Sequence, residues 1–581
     1  MQEPSRIQLP TRVILYPDRP EGPAGYAAEE WARCLGQAGV QAETASGERD
    51  GAPFVIRLSC TGDPALPDGA FRCAVDEKGI LITSGVPAGL VYGTYAVLEK
   101  LGWRFLTPDC EVTPVPPLRL ARGSWEEHPA FQVREVFWRS AMDGAFAVRL
   151  RLNASRSTIT ERQGGKAMFY NFSHTFDQLV PVSKYFDTHP EYFSMIGGKR
   201  QRERTQLCLT NPDVLRLCVD GVLRWKREHP AYDIFSVSMN DWYSNCQCPD
   251  CRRIDEEEGS GAGTMIRFVN AVARETRKVF PDIRIHTFAY LYCRKPPRLT
   301  RPEDNVIVRL CPIEACYSHP IARCGCETGP IDVQYTHARA FTGSPDAEST
   351  FMRDLKGWSR ICGQLYIWDY TTNYANYLQP FPNLSVLAEN LRTFRAYGVK
   401  GVLEQGNFSL GRVSALGDLK VYLLGHLLWN PDLDPGRLIR EFAEGCWGPA
   451  ADEMISLAEL FEQAVRPYHM SIYDAPDAAY LDDGTLRQAE RLISQALLKT
   501  AGPAHERVER EALSIRYVRL AQEDPDAPGH AERVDAFGSD VRRLGISELF
   551  ERRDLDGSIE VLRRSRLTAD RSAARPIRYP F

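Results

Sequence analysis

The segment IFSVSM, residues 234–239, is an apolar strand pattern that runs directly into the polar and aromatic residues Asn240-Asp241-Trp242-Tyr243. A helical pattern follows at residues 263–280, where apolar residues recur at helical spacing until Pro281 stops the run. A strand, a polar loop and a helix, in that order, form the repeating unit of an α/β fold. Because the same unit recurs on both sides of it, this segment decides the fold.

Eight strand patterns occur between residues 130 and 430, and helical patterns separate most of them. They begin near Val133, Ala167, Gln206, Ile234, Ile283, Val306, Gln364 and Lys400. Eight such units in roughly 300 residues fit a (β/α)8 barrel, which takes ~250 residues plus insertions. A doubly wound open sheet would alternate in the same way, but no glycine-rich phosphate loop follows the first strand. The predicted fold class is therefore α/β, with a (β/α)8 TIM-like barrel at its centre.

The 581 residues exceed what a single hydrophobic core holds, so two or three domains are expected. Residues 1–122 combine short strand patterns with two helical ones, which predicts a small α+β domain that ends near the proline-rich residues 113–117. The barrel is expected over residues 123–430. Residues 431–581 are helical in pattern and charged, and predict a helical C-terminal region.

Composition and charge exclude several classes of function. The chain is 43% hydrophobic and 25% charged, which is typical of a globular protein. A net charge of -5 gives no electrostatic reason to expect nucleic acid as a partner, and no apolar run reaches the ~18 residues of a membrane span. The start Met1-Gln2-Glu3-Pro4 lacks a secretory pattern, and most of the 16 cysteines stand singly in apolar segments. We therefore expect a cytoplasmic protein, unless a signal has been trimmed, and no cofactor.

Polar and aromatic residues close most of the strand patterns, at the barrel face where function is expected. They are Asn171 to His174 after the second strand, Asn240, Asp241 and Trp242 after the fourth, Tyr290 after the fifth, Glu314 after the sixth, Trp368, Asp369 and Asn373 after the seventh, and Glu404 after the eighth. A helix cap explains any one of these residues, but not so many of them beside Trp and Tyr. Carboxylates, amides and aromatic rings on one rim indicate a site for a sugar.

Several segments of the barrel region together carry a family resemblance: Asn240 with Cys246-Gln247-Cys248-Pro249-Asp250-Cys251, residues 255–259, 268–270 and 288–290, Glu314, Trp368-Asp369-Tyr370 and residues 402–406. Through these segments the whole barrel region resembles glycoside hydrolase family 163. The first 120 residues resemble the small domain that precedes the barrel in family 67 α-glucuronidases and family 20 hexosaminidases. Residues 93–99 and 102–105 carry that second likeness.

The resemblance to family 163 implies an endo-β-N-acetylglucosaminidase that cuts complex N-glycans with retention and with help from the substrate. In that mechanism the 2-acetamido oxygen attacks the anomeric carbon, so Asn240 would hold the acetamide and Asp241 would protonate the leaving group. Two alternatives stay open. In the first, Glu314 is the acid and Asp241 polarises the acetamide. In the second, two carboxylates among Asp241, Glu314, Asp369 and Glu404 act directly on the glycosidic bond without help from the acetamide.

The expected partner is therefore an oligosaccharide or glycopeptide substrate. The residues expected to contact it are Arg134, His174, Trp242, Tyr290, Trp368, Asp369, Asn373 and Glu404. His174 could equally be a structural histidine.

Cys246, Cys248 and Cys251 form a C-x-C-x-x-C cluster beside the proposed acid. Three thiolates at that spacing could bind zinc with a fourth ligand from Cys293, Cys316, Cys324 or Cys326. Two separated C-x-x-C pairs are absent and no histidine pair lies nearby, so reduced thiols packing a loop are favoured and no metal is predicted.

Two other functions compete with the endo-acting glycosidase. An exo-acting hexosaminidase or an α-glucuronidase shares the small N-terminal domain, but a glucuronidase needs a cation on the rim, and few candidates beyond Arg294 and Lys295 occur there. A non-catalytic carbohydrate-binding barrel would keep the aromatic residues without a usable acid, and the several rim carboxylates argue against it.

Overall fold

A computed structural model describes residues 5–45, 54–325, 327–328, 341–342 and 348–567. Its first part is a mixed sheet covered by two helices. The elements are β1 (Arg6–Gln8), β2 (Arg12–Pro17), α1 (Gly22–Gln37), β3 (Gln41–Thr44), β4 (Val55–Cys60), β5 (Phe71–Asp76), β6 (Gly79–Ser84), α2 (Pro87–Leu101), β7 (Arg104–Thr107), β8 (Cys110–Val112), β9 (Arg119–Ala121) and β10 (Gly123–Glu127).

The six-stranded sheet has the order β10-β5-β6-β4-β2-β3, and β5 runs antiparallel to the other five strands. Pro87 starts α2 and Gly102 ends it with a φ of 113°. A Cβ on Gly93 would lie 2.7 Å from the Ile82 side chain, so this glycine lets α2 pack closely on the sheet. Residues 123–127, expected within the barrel, form the edge strand β10 of this first sheet.

A curled sheet of seven parallel strands forms the centre of the molecule. Its part of the chain contains β11 (Val133–Phe137), α3 (Gly144–Arg149), β12 (Phe169–Tyr170), α4 (Phe176–Leu179), α5 (Val182–Tyr185), β13 (Met195–Ile196), β14 (Lys199–Arg200), α6 (Pro212–Glu228), β15 (Ile234–Ser236), α7 (Pro249–Glu258), α8 (Ala262–Arg277), β16 (Arg284–Ala289), β17 (Val306–Leu310), β18 (Glu327–Thr328), β19 (Phe341–Thr342), α9 (Thr350–Ile361), β20 (Leu365–Tyr370), α10 (Leu384–Ala396) and β21 (Gly401–Gln405).

The parallel sheet has the order β11-β21-β20-β17-β16-β15-β12. Strands β17 and β20 are buried along their whole length, because helices cover one face and barrel side chains fill the other. The α/β class and the TIM-like arrangement are therefore confirmed. Within the described ranges no pairing closes the sheet between β11 and β12.

The predicted third strand, near Gln206, is wrong. Leu207 forms an isolated antiparallel bridge with Phe193, and β12 pairs directly with β15. The Gln206 side chain is used for the loop after β15: its amide accepts the backbone N–H of Asn240 at 2.8 Å and donates to the Asn240 carbonyl at 2.7 Å. This segment therefore braces the rim of the sheet and does not extend the sheet.

Seven helices follow the sheet within the described residues up to 567, which confirms a helical C-terminal region. They are α11 (Gly417–Trp429), α12 (Pro435–Cys446), α13 (Ala451–Val465), α14 (Asp483–Lys499), α15 (Gly502–Gln522), α16 (His530–Arg543) and α17 (Leu555–Arg564). Helix α11 is buried on nearly all sides. In the described part of the chain, no helix combines the length and the apolarity that crossing a bilayer requires.

Candidate active site at the carboxyl end of the parallel sheet

Two adjoining cavities lie at the carboxyl ends of the parallel strands. The first, the aromatic pocket, has a volume of about 270 Å³ and is lined by Phe172, Phe288, Trp368, Tyr370, Tyr374 and Phe408, among others. The second, the arginine pocket, has a volume of about 330 Å³ and is lined by Arg202, Arg204, Asn240 and Trp242, among others. His174, Asp241 and Arg552 line both pockets, so Asp241 lies at their junction.

The carboxylate of Asp241 is held by a tyrosine from the next strand. The Tyr290 hydroxyl donates a hydrogen bond of 3.0 Å to Oδ1 of Asp241. Tyr290 is buried, and its burial together with the charge of Asp241 raises the pKa of the Tyr290 phenol well above its usual value. The phenol therefore stays protonated and always offers a donor to the half-buried Asp241.

Glu551 supplies a second carboxyl group to the aromatic pocket. It lies between α16 and α17, and its backbone N–H donates to the Tyr374 carbonyl at 3.2 Å. Burial raises the pKa of Glu551 to about 7, although neighbouring Arg552 lowers it. The pocket thus holds two carboxyl groups with different environments, which is the arrangement that acid–base catalysis needs.

Glu551, Arg552 and Tyr473 line the aromatic pocket and were missed from the sequence. They come from the helical C-terminal region, whose described residues contain no strand end that could have marked them. Arg156 and Gln405 also line this pocket, and Gln405 follows directly on the predicted Glu404.

Aromatic rings form the wall of the pocket. Trp368 and Phe172 stack with ring centroids 5.4 Å apart and an interplanar angle of 4°. The Trp368 indole N–H donates to Oε1 of Gln405 at 2.6 Å, which fixes the ring. A flat ring surface beside polar groups is a suitable platform for the apolar face of a sugar ring.

Four residues around the two pockets have left-handed backbone conformations although they are not glycines. The φ angles are 46° at Asn171, 50° at His174, 51° at Arg204 and 57° at Arg552. Such conformations cost energy and cluster at functional sites. In addition, Nδ1 of His174 donates to the Met239 carbonyl at 2.9 Å, so a neutral His174 ring keeps Nε2 as an acceptor.

The predicted catalytic residues Asn240 and Glu314 lie nearby but are engaged elsewhere. The Asn240 side chain accepts the Asp177 backbone N–H at 3.2 Å and donates to the Thr205 carbonyl at 2.9 Å, so its amide orders the loop. The Glu314 carboxylate pairs with Arg294 at 2.8 Å and does not line either pocket. Neither side chain is therefore placed to act on a substrate in the aromatic pocket.

Asp369 and Glu404 are buried in the sheet and do not line either pocket, which corrects their expected role. They are directly paired in register between β20 and β21. Burial raises the pKa of Asp369 to about 7, and burial together with the charge of Asp369 raises the pKa of Glu404 well above its usual value. Two buried carboxyl groups so close cannot both ionise, so this pair is neutral or singly charged at neutral pH.

Asn373 and Arg134 are structural residues, which corrects two more predictions. The Asn373 amide donates to the Asp474 carbonyl at 2.8 Å and ties the loop after β20 to the C-terminal region. Arg134 is buried at the amino end of β11, where it donates to the carbonyls of Phe131 and Arg151, each at 2.8 Å. Of the remaining predicted contacts, Trp242 lines the arginine pocket, while His174, Tyr290 and Trp368 line the aromatic pocket.

A larger cavity of about 960 Å³ lies at the amino ends of the strands. Its charged groups are paired with one another: Glu99 binds Arg151 at 2.8 Å and His426 at 3.1 Å. The amino face of such a barrel serves stability, whereas the carboxyl face carries function. We therefore locate the candidate site in the two smaller pockets.

The rim is more basic than the sequence indicated. Arg294 is buried in ion pairs with Glu314 and Asp354, but Arg156 and Arg552 line the aromatic pocket. Arg204 lies over the Trp242 ring in the arginine pocket, 5.3 Å from its centroid. The prediction of few cations on the rim, which argued against a uronic acid substrate, is therefore wrong.

The C-x-C-x-x-C cysteines gather around a fourth thiol that the sequence did not suggest. Cys246, Cys248 and Cys251 lie with Cys208, and the four sulfur atoms are within 4.8 Å of one another. Of the fourth ligands considered, Cys293 lies against Met239, and Cys316 and Cys324 form a separate cluster. Cys326 lies outside the described residues. The structure thus offers a four-thiol set that could hold a metal.

Solved structures of similar fold include glycoside hydrolases. A family GH115 4-O-methyl-α-glucuronidase with specificity for decorated arabinogalactans superposes with a TM-score of 0.54 at 11% identity, over 93% of this chain and 77% of its own. A family GH138 enzyme targeting pectin rhamnogalacturonan II gives 0.52 at 10% identity, over 92% of each chain. A β-N-acetylhexosaminidase from Bacteroides fragilis gives 0.40 at 12% identity, over 81% and 95%.

At identities this low, the two superpositions with TM-scores above 0.5 show a shared fold and no more. No curated protein matches the chain in sequence. A family profile described as a domain of unknown function, DUF4838, matches residues 105–457, which is more than half of the chain and includes all seven strands of the parallel sheet. The chain is therefore a member of the DUF4838 family.

Proposed function

We propose that this protein is a glycoside hydrolase whose reaction takes place at Asp241, between the aromatic and arginine pockets. The observation that carries the proposal is the pair of carboxyl groups in one aromatic-walled cavity. Asp241 accepts a hydrogen bond from Tyr290, while the pKa of Glu551 is raised to about 7 by burial. A carboxylate and a carboxylic acid facing one cavity supply the charge and the proton that glycosidic cleavage requires.

In this proposal Glu551 donates its proton to the leaving oxygen. A pKa near 7 keeps much of Glu551 protonated at neutral pH and still lets it act as a base afterwards. Asp241 stabilises the positive charge that develops on the sugar, and Tyr290 fixes the Asp241 carboxylate in place. Trp368 offers the ring surface on which the sugar stacks.

We further propose that the substrate is a β-N-acetylglucosaminide and that its own acetamide takes part. The carboxylate of Asp241 would accept the acetamide N–H and direct its oxygen to the anomeric carbon. The amide of Asn240 is hydrogen-bonded to the backbone of Asp177 and Thr205. In this proposal Asp241 therefore holds the acetamide in place of Asn240. The resemblance to glycoside hydrolase family 163 supports endo-action on complex N-glycans, and two adjoining pockets would accommodate sugars on both sides of the scissile bond.

Incubation of the full chain with a complex biantennary glycopeptide tests this, with products identified by mass spectrometry. We expect a peptide that retains one core N-acetylglucosamine, and loss of the activity in Asp241→Asn. Asp282→Asn, an exposed aspartate far from the rim, serves as the matched control. Binding of the glycopeptide without cleavage would instead support the non-catalytic barrel.

A second candidate function is cleavage of a sugar acid, and the arginines favour it. Arg156 and Arg552 line the aromatic pocket, and Arg204 lines the arginine pocket. A guanidinium can bind the carboxylate of a uronic acid through two hydrogen bonds. Activity on a uronic acid-capped oligosaccharide, lost in Arg552→Gln while a neutral substrate is inert, would establish this candidate in place of the first.

A further inference from the structure

Four buried thiols meet where the third strand of the barrel was expected. Cys208 follows the hairpin β13–β14, Cys246 lies in the loop after β15, and Cys248 and Cys251 lie at the start of α7. The Cys208 sulfur lies 3.7 Å from that of Cys248 and 4.0 Å from that of Cys251. These separations are about twice a disulfide bond of ~2.05 Å. They match the sulfur–sulfur edge of roughly 3.8 Å in a tetrahedron with Zn–S bonds of ~2.3 Å.

The surroundings of the four sulfurs supply hydrogen-bond donors. The Met195 backbone N–H lies 3.4 Å from the Cys246 sulfur, and the Arg200 guanidinium lies 3.7 Å from the same atom. The Thr210 hydroxyl lies 3.2 Å from the Cys251 sulfur. Four thiolates around a divalent ion carry a net charge of minus two, which a neighbouring cation and N–H or O–H donors stabilise.

We propose that Cys208, Cys246, Cys248 and Cys251 bind one structural zinc ion. Thiolate ligands in a tetrahedral set select zinc among the common divalent metals. Four protein ligands leave no open position, so the ion would hold the fold together and take no part in hydrolysis. It would link the segment that replaces the third strand to the loop of Asp241, where the Gln206 side chain already hydrogen-bonds to the Asn240 backbone.

A separate cluster supports a second zinc ion on independent observations. The ligand atoms of Cys316, His319, Cys324 and His469 all lie within 4.8 Å of one another. Nδ1 of His319 and Nδ1 of His469 lie 3.3 Å and 3.4 Å from the Cys316 sulfur. A tetrahedral zinc with bonds of ~2.3 Å to sulfur and ~2.05 Å to nitrogen requires roughly 3.6 Å between such atoms.

The imidazole of His319 is oriented for this role. Its Nε2 donates to the Arg466 carbonyl at 2.8 Å, so in the neutral ring Nδ1 keeps its lone pair for the cluster. Histidines that bind metals usually anchor their other nitrogen in this way. A zinc ion here would connect the loop after β17 to the segment after α13. In that segment, His469 lies four residues before Tyr473, which lines the aromatic pocket.

The test is the zinc content of the purified full chain, without a histidine tag, measured by inductively coupled plasma mass spectrometry. We expect two zinc ions per unmodified chain. The variants Cys208→Ser and Cys316→Ser should each retain only one zinc ion per chain. Cys218→Ala, a single buried cysteine in α6 outside both clusters, should keep two. Neither measurement depends on glycosidase activity, so failure of the proposed function would leave this result intact.

If the cysteine variants do not fold, cobalt exchange tests the same sites in the unmodified chain. Replacing the metal in the unmodified chain should give the visible bands of tetrahedral cobalt together with strong thiolate-to-cobalt charge transfer, at two cobalt ions per chain. A folded, reduced chain that carries less than about 0.2 metal ion after incubation with excess zinc would overturn the proposal. Stoichiometric iron in place of zinc would overturn the choice of metal, and disulfides among these cysteines would overturn the sites.

Discussion

The hydroxyl of Tyr290 lies 3.0 Å from Oδ1 of Asp241, and this contact joins the carboxyl ends of two neighbouring parallel strands. Tyr290 directly follows β16, and Asp241 lies in the loop after β15. Since the sheet fixes both backbones, the hydrogen bond fixes the rotamer of the carboxylate. A rigid carboxylate costs no reorganisation when positive charge develops beside it.

Tyr290→Phe should lower kcat by about 10- to 100-fold with little change in KM. A hydrogen bond to a charged acceptor contributes about 1.5–3 kcal/mol, and here that contribution concerns a group that acts on the transition state. Steady-state kinetics on an N-acetylglucosaminide substrate measures the effect. Tyr397→Phe, at the end of α10, is the control and should behave as the unmodified chain does.

The raised pKa of Glu551 predicts a basic limb in the pH profile of kcat/KM. Activity should fall above pH ~7, because a general acid with a pKa of about 7 loses its proton there. Glu551→Gln should abolish this limb and lower kcat by ~10²- to 10⁴-fold. The loss should be much smaller on an aryl glycoside with a good leaving group, which needs no proton.

An equal loss on both kinds of substrate would show that Glu551 is not the proton donor. Glu532→Gln, an exposed residue of α16, provides the matched Glu-to-Gln control.

Most of the fold could be predicted because local patterns determine it. Seven of the eight expected strands exist, and the helix predicted at residues 263–280 is α8, Ala262–Arg277. The failure at Gln206 has a nonlocal cause. Its neighbour Cys208 packs against thiols about 40 residues further along, and Leu207 pairs backwards with Phe193. An apolar pattern of four residues cannot distinguish that environment from a strand.

The site was only partly predictable, because only some of the residues that line it occur at the ends of strands. Asp241 and Tyr290 follow strands, Trp368 lies near the end of β20, and all three line the aromatic pocket. Glu404 also occurs at a strand end, but its side chain lies inside the sheet, and only Gln405 after it reaches the cavity. Glu551 arrives from a distant loop of the helical region, and its burial beside Asp241 is a property of the tertiary structure alone.

Arg134→Leu should destabilise the fold without changing substrate affinity. The guanidinium donates to the carbonyls of Phe131 and Arg151 and lies over the Tyr92 and Trp429 rings, at 5.2 Å and 5.3 Å from their centroids. Removing a buried donor that satisfies several carbonyls costs about 2–4 kcal/mol. Urea unfolding measures the loss of stability. A KM raised several-fold in the folded variant would instead show that Arg134 contributes to substrate binding.

The buried pair of Asp369 and Glu404 should make the protein less stable as the pH rises. The pKa of Asp369 is about 7 in the folded chain, against an ordinary value of 3.8, so folding favours the protonated carboxyl. The stabilising contribution is therefore complete below pH ~4 and is lost as the pH rises through 7. Asp369→Asn stays neutral throughout, so it should be on the order of 4 kcal/mol more stable than the unmodified chain at pH 8 and similar to it at pH 4. Urea midpoints at the two pH values measure this difference, with Asp282→Asn as the exposed control; a parallel pH dependence of all three proteins would mean that Asp369 titrates as an ordinary carboxylate.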